Sequence, residues 1–412
     1  KFKVEVKLMS ELVMRIEYIN FLRRHRDKQV IKIVSGVRRS GKSTLFKLFQ
    51  DELLSEGVNQ SQIIAINFED ISYHHLLNYM DLYQYLIDKI HPIEKTYIFL
   101  DEIQMIDQFE KVVDSLLLKD NVDLYITGSN AYFLSSELAT LLSGRYVQLN
   151  MLPLSFKEFV TWHKQKDSNH SLPDLYEAYI QTSFPYAIRI DNPLERFEYL
   201  QGLYSTVVLN DIVKRVNIQD VGVLERIIAA LFSSIGSLVT VNKIKNTLVS
   251  KGYKIAHQTI DRYVKGILDS LIMYEVKRYN IKGKALLESQ SKYYTVDTGL
   301  RQLVLRDHLQ DYGHILENII YLELKRRGFE VYIGENNQYE VDFVAIAPDN
   351  SIEYYQVALS TLDESTLKRE LRSLASIDDQ YPKYLLTLDQ FNQTANYNGI
   401  QKLNALQWLM GE

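Results

Sequence analysis

Gly36-Val37-Arg38-Arg39-Ser40-Gly41-Lys42-Ser43-Thr44 decides the fold of the first part of this chain. The stretch reads G-x-x-x-x-G-K-S, the full P-loop pattern. Val30 to Val34 precedes it as a β-branched run suited to a buried strand, and Thr44 to Phe49 follows with the apolar spacing of a helix. That order gives the motif a mechanism. Loop N–H groups and the positive end of the helix dipole can cradle phosphate oxygens. Residues 36–44 are then the nucleotide-binding segment, in which Lys42 neutralises the β- and γ-phosphates and the Ser43 hydroxyl binds Mg²⁺.

The bulk numbers set bounds around this motif. At 412 residues the chain is long for one domain, and a hydrophobic content of 46% is ample for folded cores. A net charge of −5 argues against a protein that binds nucleic acid with its whole surface, though local basic patches are compatible with it. The absence of cysteine excludes a disulfide framework, a thiol nucleophile and Cys-ligated zinc. The nine histidines show no metal-ligand spacing. No apolar run approaches the length of a membrane span and no secretory pattern opens the sequence, so the expectation is a cytoplasmic protein with no membrane partner.

Working outward, Ile16 to Arg26 reads as a short helix with a basic end, and Gln62 to Phe68 as a second strand followed by Glu69-Asp70, whose role is a helix cap or a position near the nucleotide. Thr96 to Glu102 is a second motif, an apolar strand ending in two carboxylates. The chemistry needs both. Asp101 holds Mg²⁺ through water, and Glu102 orients and deprotonates the attacking water. Asp123 to Asn130 is the next strand with a polar tip, where Ser129 or Asn130 either contacts the γ-phosphate or caps a turn. Leu138 to Ser143 reads as a short helix. Arg145 follows it, just before the strand Tyr146 to Leu149, as an arginine finger or a surface ion pair.

The set GVRRSGKST, YIFLDEIQ, TGSN, SGRY and LPLSFKEF resembles a prokaryotic family of AAA+-type ATPases. Members of that family carry a winged helix and a C-terminal domain of unknown function with a restriction-endonuclease-like core. The resemblance implies an α/β fold: a P-loop parallel sheet over 14–151, a helical lid or connector over 152–220, a winged helix over 221–305 and a restriction-endonuclease-like α/β domain over 306–412. It implies ATP and Mg²⁺ as ligands and a sensor role for Ser129 or Asn130. It also allows a homo-oligomer in which Arg145 acts in trans.

Glu195 to Val216 has the length of one long helix. In 221–305, Leu224, Ile227, Ile228, Leu231 and Ile235 stripe one helix, and Val241, Ile244 and Leu248 a second, capped by Thr240. A third helix offers Gln258, Thr259, Arg262 and Lys265 on its polar face, suited to a major groove. Val276 to Lys284 reads as a basic hairpin whose Lys277 and Arg278 can track phosphates of duplex DNA; packing or oligomer contact is the alternative use. In the last segment Glu317, Asp342 and Gln356 fall where a nuclease of this resemblance places its metal-binding acids. Gln356 replaces a carboxylate and no lysine stands two residues beyond it, so the site reads as degenerate and the segment as a binding or regulatory module. The expected function is an Mg²⁺-dependent ATPase whose nucleotide state controls domain arrangement. The alternatives are a DNA-binding regulatory switch with slow hydrolysis as a timer and, less favoured, an ATP-gated nuclease.

Overall fold

The computed structural model describes residues 12–129, 131, 141–142, 144–166, 169–306, 311–337 and 339–411. Asn130 and most of the helix expected over 138–143 lie outside them. The chain divides into two compact units, Lys1–Pro153 and Leu154–Glu412.

The first unit is a five-stranded parallel sheet in the order β2-β3-β4-β1-β5. Its strands are β1 (Ile31–Ser35), β2 (Ile63–Asn67), β3 (Thr96–Asp101), β4 (Val122–Gly128) and β5 (Tyr146–Asn150). The helices are α1 (Ile16–His25), α2 (Lys42–Ser55), α3 (Tyr79–Lys89) and α4 (Phe109–Leu117). β1, β3 and β4 are buried along their whole length, as strands covered on both faces must be. Alternation within β3 sorts its side chains: Ile98 and Leu100 pack in one core with Val112 and Leu116, while Tyr97 and Phe99 pack in the other with Phe46 and Phe49. Parallel pairing in register, Ser35 with Gly128 and Leu100 with Ile126, brings the C-terminal ends of β1, β3 and β4 to one edge. In open parallel sheets such an edge is where ligands bind. Asp70 caps the turn that begins at Ile71 by accepting from the Ser72 N–H, so the capping role for Asp70 holds.

The second unit carries α5 (Phe156–Lys166), α6 (Leu172–Tyr179), α7 (Pro193–Thr206), α8 (Val221–Ser233), α9 (Val241–Ser250) and α10 (His257–Asp269). The hairpin β6 (Met273–Asn280) and β7 (Ala285–Thr295) follows, then α11 (Thr298–Leu305) and α12 (Tyr312–Arg326). The remainder is β8 (Glu330–Asn336), β9 (Tyr339–Ile346), β10 (Ile352–Ala358), α13 (Glu364–Ala375), β11 (Lys383–Thr387), β12 (Ala395–Tyr397), β13 (Ile400–Asn404) and α14 (Ala405–Met410). Eight strands form one mixed sheet in the order β12-β13-β11-β10-β9-β8-β6-β7.

Two expectations change here. The basic hairpin is not a free-standing wing: β6 pairs in parallel with β8, Arg278 opposite Ile333 and Asn280 opposite Glu335. For the same reason no break in the sheet falls at 305/306, where the sequence suggests a domain boundary. The long helix expected over 195–216 is helical throughout: α7 runs straight into a π-helical segment, Val207–Lys214, and two further helical residues. Such segments insert one residue per turn and shift the facing side chains.

Candidate functional site

The loop after β1 is shaped by a close approach that only glycine allows. A Cβ on Gly36, which has φ of 152°, would meet the Met151 carbonyl oxygen at 2.2 Å. Gly41, at φ 105°, is the N-cap of α2, and its carbonyl accepts the first helical bond from Leu45 N–H at 2.9 Å. The N–H groups of the first turn of α2 therefore face the loop without intrahelical partners. Lys42 is buried, and its Nζ donates to the Gly36 carbonyl at 3.0 Å and the Val37 carbonyl at 3.3 Å. Arg38 is held by Glu69 at 2.6 Å, Arg39 is exposed, and Ser40 is buried. Thr44 lies half-buried in the first turn of α2.

Asp101 ends β3, and Glu102 follows in the left-handed region at φ 55°. That conformation is costly for a non-glycine residue and turns Glu102 toward Lys42, whose Nζ lies 3.4 Å from its carboxylate. Thr127 on β4 fixes both acids. Its hydroxyl donates to Asp101 and accepts from the Glu102 N–H at 2.9 Å. Asn67 on β2 donates to the other Asp101 oxygen at 3.1 Å, and Ser43 hydrogen-bonds the same carboxylate. Gln104 donates to Glu102 and lies 3.3 Å from the Ser129 hydroxyl, which is buried at the end of β4. A cleft of about 390 Å³ opens beside Ser43, Asp101 and Asn67, walled by Phe46 and Tyr73.

The two neighbouring carboxylates are driven apart. Burial pushes the Asp101 pKa up, against the hydrogen bonds from Ser43 and Thr127. Burial acts the same way on Glu102, but Lys42 and the bonds from Gln104 and Ser129 outweigh it and hold its pKa below the usual value. Glu102 is thus an anion next to a buried cation, and Asp101 sits against the Ser43 hydroxyl. The divergence follows from unequal surroundings: a buried ammonium beside Glu102 and, among the described residues, none in direct contact with Asp101.

The structure brings together residues 36–44, Asp101, Glu102 and Ser129, and it leaves Arg145 elsewhere. Arg145 stands at the start of β5, and its carbonyl accepts from the N–H of Ile31, the first residue of β1. The loop lies at the other end of that strand, about 15 Å away. Within its own chain Arg145 pairs with Asp114 at 3.1 Å.

The other singled-out residues lie in the second unit. Gln258, Arg262 and Lys265 are exposed on α10 and Thr259 half-buried, opposite the buried Ile260, Val264 and Ile267. Lys277 is exposed, but Arg278 is engaged by Glu335 at 2.5 Å, which takes it from the free basic set. No lysine stands two residues beyond Gln356, but the fold brings one to the C-terminal acids from a distant strand. Lys292, on β7, places its Nζ 2.9 Å from Glu317, 2.8 Å from Glu340 and 3.8 Å from Asp342. Tyr294 donates to Glu317 at 2.5 Å. Gln356 is used internally: its amide donates to Glu370 at 2.9 Å and its oxygen accepts from the Asp342 N–H at 3.3 Å. Burial and the Glu317 charge push the Asp342 pKa up, with Lys292 opposing them. Among the described residues no group of three or more His, Cys, Asp or Glu side chains is arranged to hold a metal ion, and no helix is long and apolar enough to cross a membrane.

Thr127 and Gln104 were missed as site residues although both sit inside quoted motifs, TGSN and YIFLDEIQ. Asn67 and Lys292 carry no local signal, because only strand register places them.

Residues 28–160 match the AAA domain family, and residues 172–311 match a domain of unknown function, DUF8612. An uncharacterized protein of Haemophilus influenzae is 38% identical over 406 residues, spanning 98% of this chain and 100% of that protein. The uncharacterized protein MJ1544 of Methanocaldococcus jannaschii is 31% identical over 396 residues, spanning 90% and 84%. The solved Walker-type ATPase PABY2304 of Pyrococcus abyssi shares the fold with a TM-score of 0.51 at 15% identity, over 71% of this chain and 96% of that one. The chain belongs to one family with the Haemophilus influenzae protein and MJ1544, and it carries an AAA domain, which implies nucleotide and Mg²⁺ binding in general.

Proposed function

We propose that the chain is an Mg²⁺-dependent ATPase whose nucleotide state controls the arrangement of its domains. The observation that carries this reading is the split carboxylate pair at one sheet edge, Asp101 on the Ser43 hydroxyl and Glu102 on Lys42. The donor set fits the ligands: the Ser43 and Asp101 oxygens are hard donors of the type Mg²⁺ prefers, and the N–H groups in the first turn of α2 can meet phosphate. When bound, Mg²⁺ supplies charge withdrawal from the phosphate oxygens. The remaining work belongs to the chain. Lys42 releases the loop carbonyls to meet phosphate. Glu102, held ionised, orients the attacking water and accepts its proton. Ser129 positions the water or the γ-phosphate through the Gln104 bridge. Arg145, exposed on the far edge, completes the site of a neighbouring copy.

Lys42→Ala is expected to abolish nucleotide binding, and Glu102→Gln to bind ATP with turnover lowered about a hundredfold or more. Equal hydrolysis rates for the wild type and Glu102→Gln would overturn the assignment of the base. An Arg145→Ala protein that hydrolyses ATP only when mixed with Lys42→Ala protein would support action in trans.

A second reading, a DNA-binding regulatory switch, is favoured by the solvent-facing Gln258, Arg262 and Lys265 on α10. In it α8, α9, α10 and the β6–β7 hairpin act as a winged helix. Residues 306–412 then serve as a nuclease-like fold retained for binding, with Lys292 and Gln356 both tied to its own carboxylates. Metal-dependent plasmid nicking that disappears in Asp342→Ala would replace this with the nuclease reading.

A further inference from the structure

Arg15, just ahead of α1, is buried, and its guanidinium donates to three main-chain carbonyls. Nη1 reaches Ser40 O at 3.1 Å and Leu152 O at 2.8 Å, and Nη2 reaches Pro153 O at 3.1 Å. The guanidinium carbon lies 4.4 Å from the centre of the Tyr18 ring, and the Tyr18 hydroxyl accepts from the Leu152 N–H at 3.3 Å. One cation and one tyrosine therefore grip both the phosphate loop and the last residues of the first unit.

The Ser40 contact has a chemical consequence. The Ser40–Gly41 peptide is trans, so its carbonyl and the Gly41 N–H point in opposite directions. A guanidinium that fixes the carbonyl on one side presents that N–H on the other, and by polarising the amide strengthens it as a donor. The segment that Arg15 holds touches the loop twice more: Met151 N–H donates to Ser35 O at 2.7 Å, and Met151 O blocks any side chain at Gly36.

We propose that Arg15 is a positioning residue of the nucleotide site, which sets the Gly41 N–H for phosphate and ties that peptide to Leu152 and Pro153, so that phosphate occupancy is felt where the chain leaves the first unit. This rests on the ATPase reading above. The test uses the full chain with Arg15→Met and Arg15→Lys, steady-state ATP hydrolysis, binding of a fluorescent ATP analogue, and hydrogen exchange of the Met151 and Leu152 amides.

In the wild type, saturating Mg²⁺-ATP slows exchange at both amides. In Arg15→Met the KM rises about tenfold, the size expected for hydrogen bonds to a charged group, with a much smaller change in kcat. The exchange response at Met151 and Leu152 disappears, although Lys42 and Ser43 still respond to nucleotide. Arg15→Lys, which keeps the charge and part of the bonding, recovers part of the KM. An Arg15→Met protein with wild-type KM and an intact response at Met151 and Leu152 would overturn the inference. If Arg15→Met does not fold, Arg15→Lys carries the test with the same readouts: a partial rise in KM and a weakened response support the inference, and wild-type values for both refute it. A wild type that takes up no nucleotide would instead overturn the parent reading, and this inference with it.

Discussion

Replacing Gly36 by alanine tests whether the shape of the loop, not merely its charge, makes the site. The added methyl would stand 2.2 Å from Met151 O, 3.1 Å from Met151 C and 3.2 Å from Ser40 Oγ. Restoring an ordinary contact requires a displacement of about 1 Å. The Met151 side cannot yield freely, because its N–H is bonded to Ser35 and the next two carbonyls are held by Arg15. The loop must move instead, and with it the carbonyls that Lys42 contacts. A misplacement of that size typically costs about a hundredfold in a positioned reaction. Overpacking also destabilises by about 1–3 kcal/mol. The assay pairs titration of a fluorescent ATP analogue with single-turnover hydrolysis. Gly57→Ala is the control: Gly57 also has positive φ, 97°, but nothing lies within 4 Å of its added methyl. That variant should lose about 1–2 kcal/mol of stability through backbone strain and keep wild-type binding. Gly36→Ala binding within threefold of the wild type, or equal losses in the two variants, would refute the argument.

Other outcomes follow from the second unit and its boundary with solvent. Lys292→Met should destabilise that unit by about 3–5 kcal/mol, because it strands buried Glu317 without its cation. Both tryptophans, Trp162 and Trp408, lie in residues 154–412, so their fluorescence during urea unfolding reports this loss directly. The double variant Lys292→Met/Glu317→Gln should recover part of it. The same signal should show stability falling as pH rises from about 4 to about 8, since the folded Asp342 pKa, near 8, exceeds its unfolded value and the folded state holds the extra proton. Buried Asp297, also shifted upward, acts in the same direction, and Asp342→Asn should flatten the profile. Neutralising Arg262, Lys265 and Lys277 together should abolish salt-dependent binding to duplex DNA in an anisotropy titration, whereas Arg278→Gln alone should change it little, because Arg278 is already paired with Glu335.

The nucleotide site was legible because its chemistry is local in sequence. A glycine loop between a strand and a helix, and a strand ending in two acids, are each written in fewer than ten consecutive residues. Parallel pairing then delivers Asp101 and Ser35 to the same edge with little freedom to do otherwise. Arg15 was invisible for the opposite reason. Its partners stand 25, 137 and 138 positions away, and a lone arginine before a helix has no pattern. Lys292 is a similar case: the pattern places a lysine two residues past Gln356, but the charge arrives from a hairpin on a neighbouring strand pair. The basic hairpin misled because its alternation is equally suited to an exposed wing and to an interior strand. The unpaired side of β6 meets β8, and no residue of β6 announces that partner.

That strand pairing sets how the protein can be taken apart. A gene shortened to end at residue 305 would remove β8 and bare the flank of β6 to any passing strand. It would also leave Lys292 without Glu317, Glu340 and Asp342, an ammonium bereft of its counter-ions. The complementary fragment from 306 onward would carry those acids with no base among them. Neither piece keeps that strand pair and that ion cluster whole, so each fragment is expected to be less stable than the intact second unit.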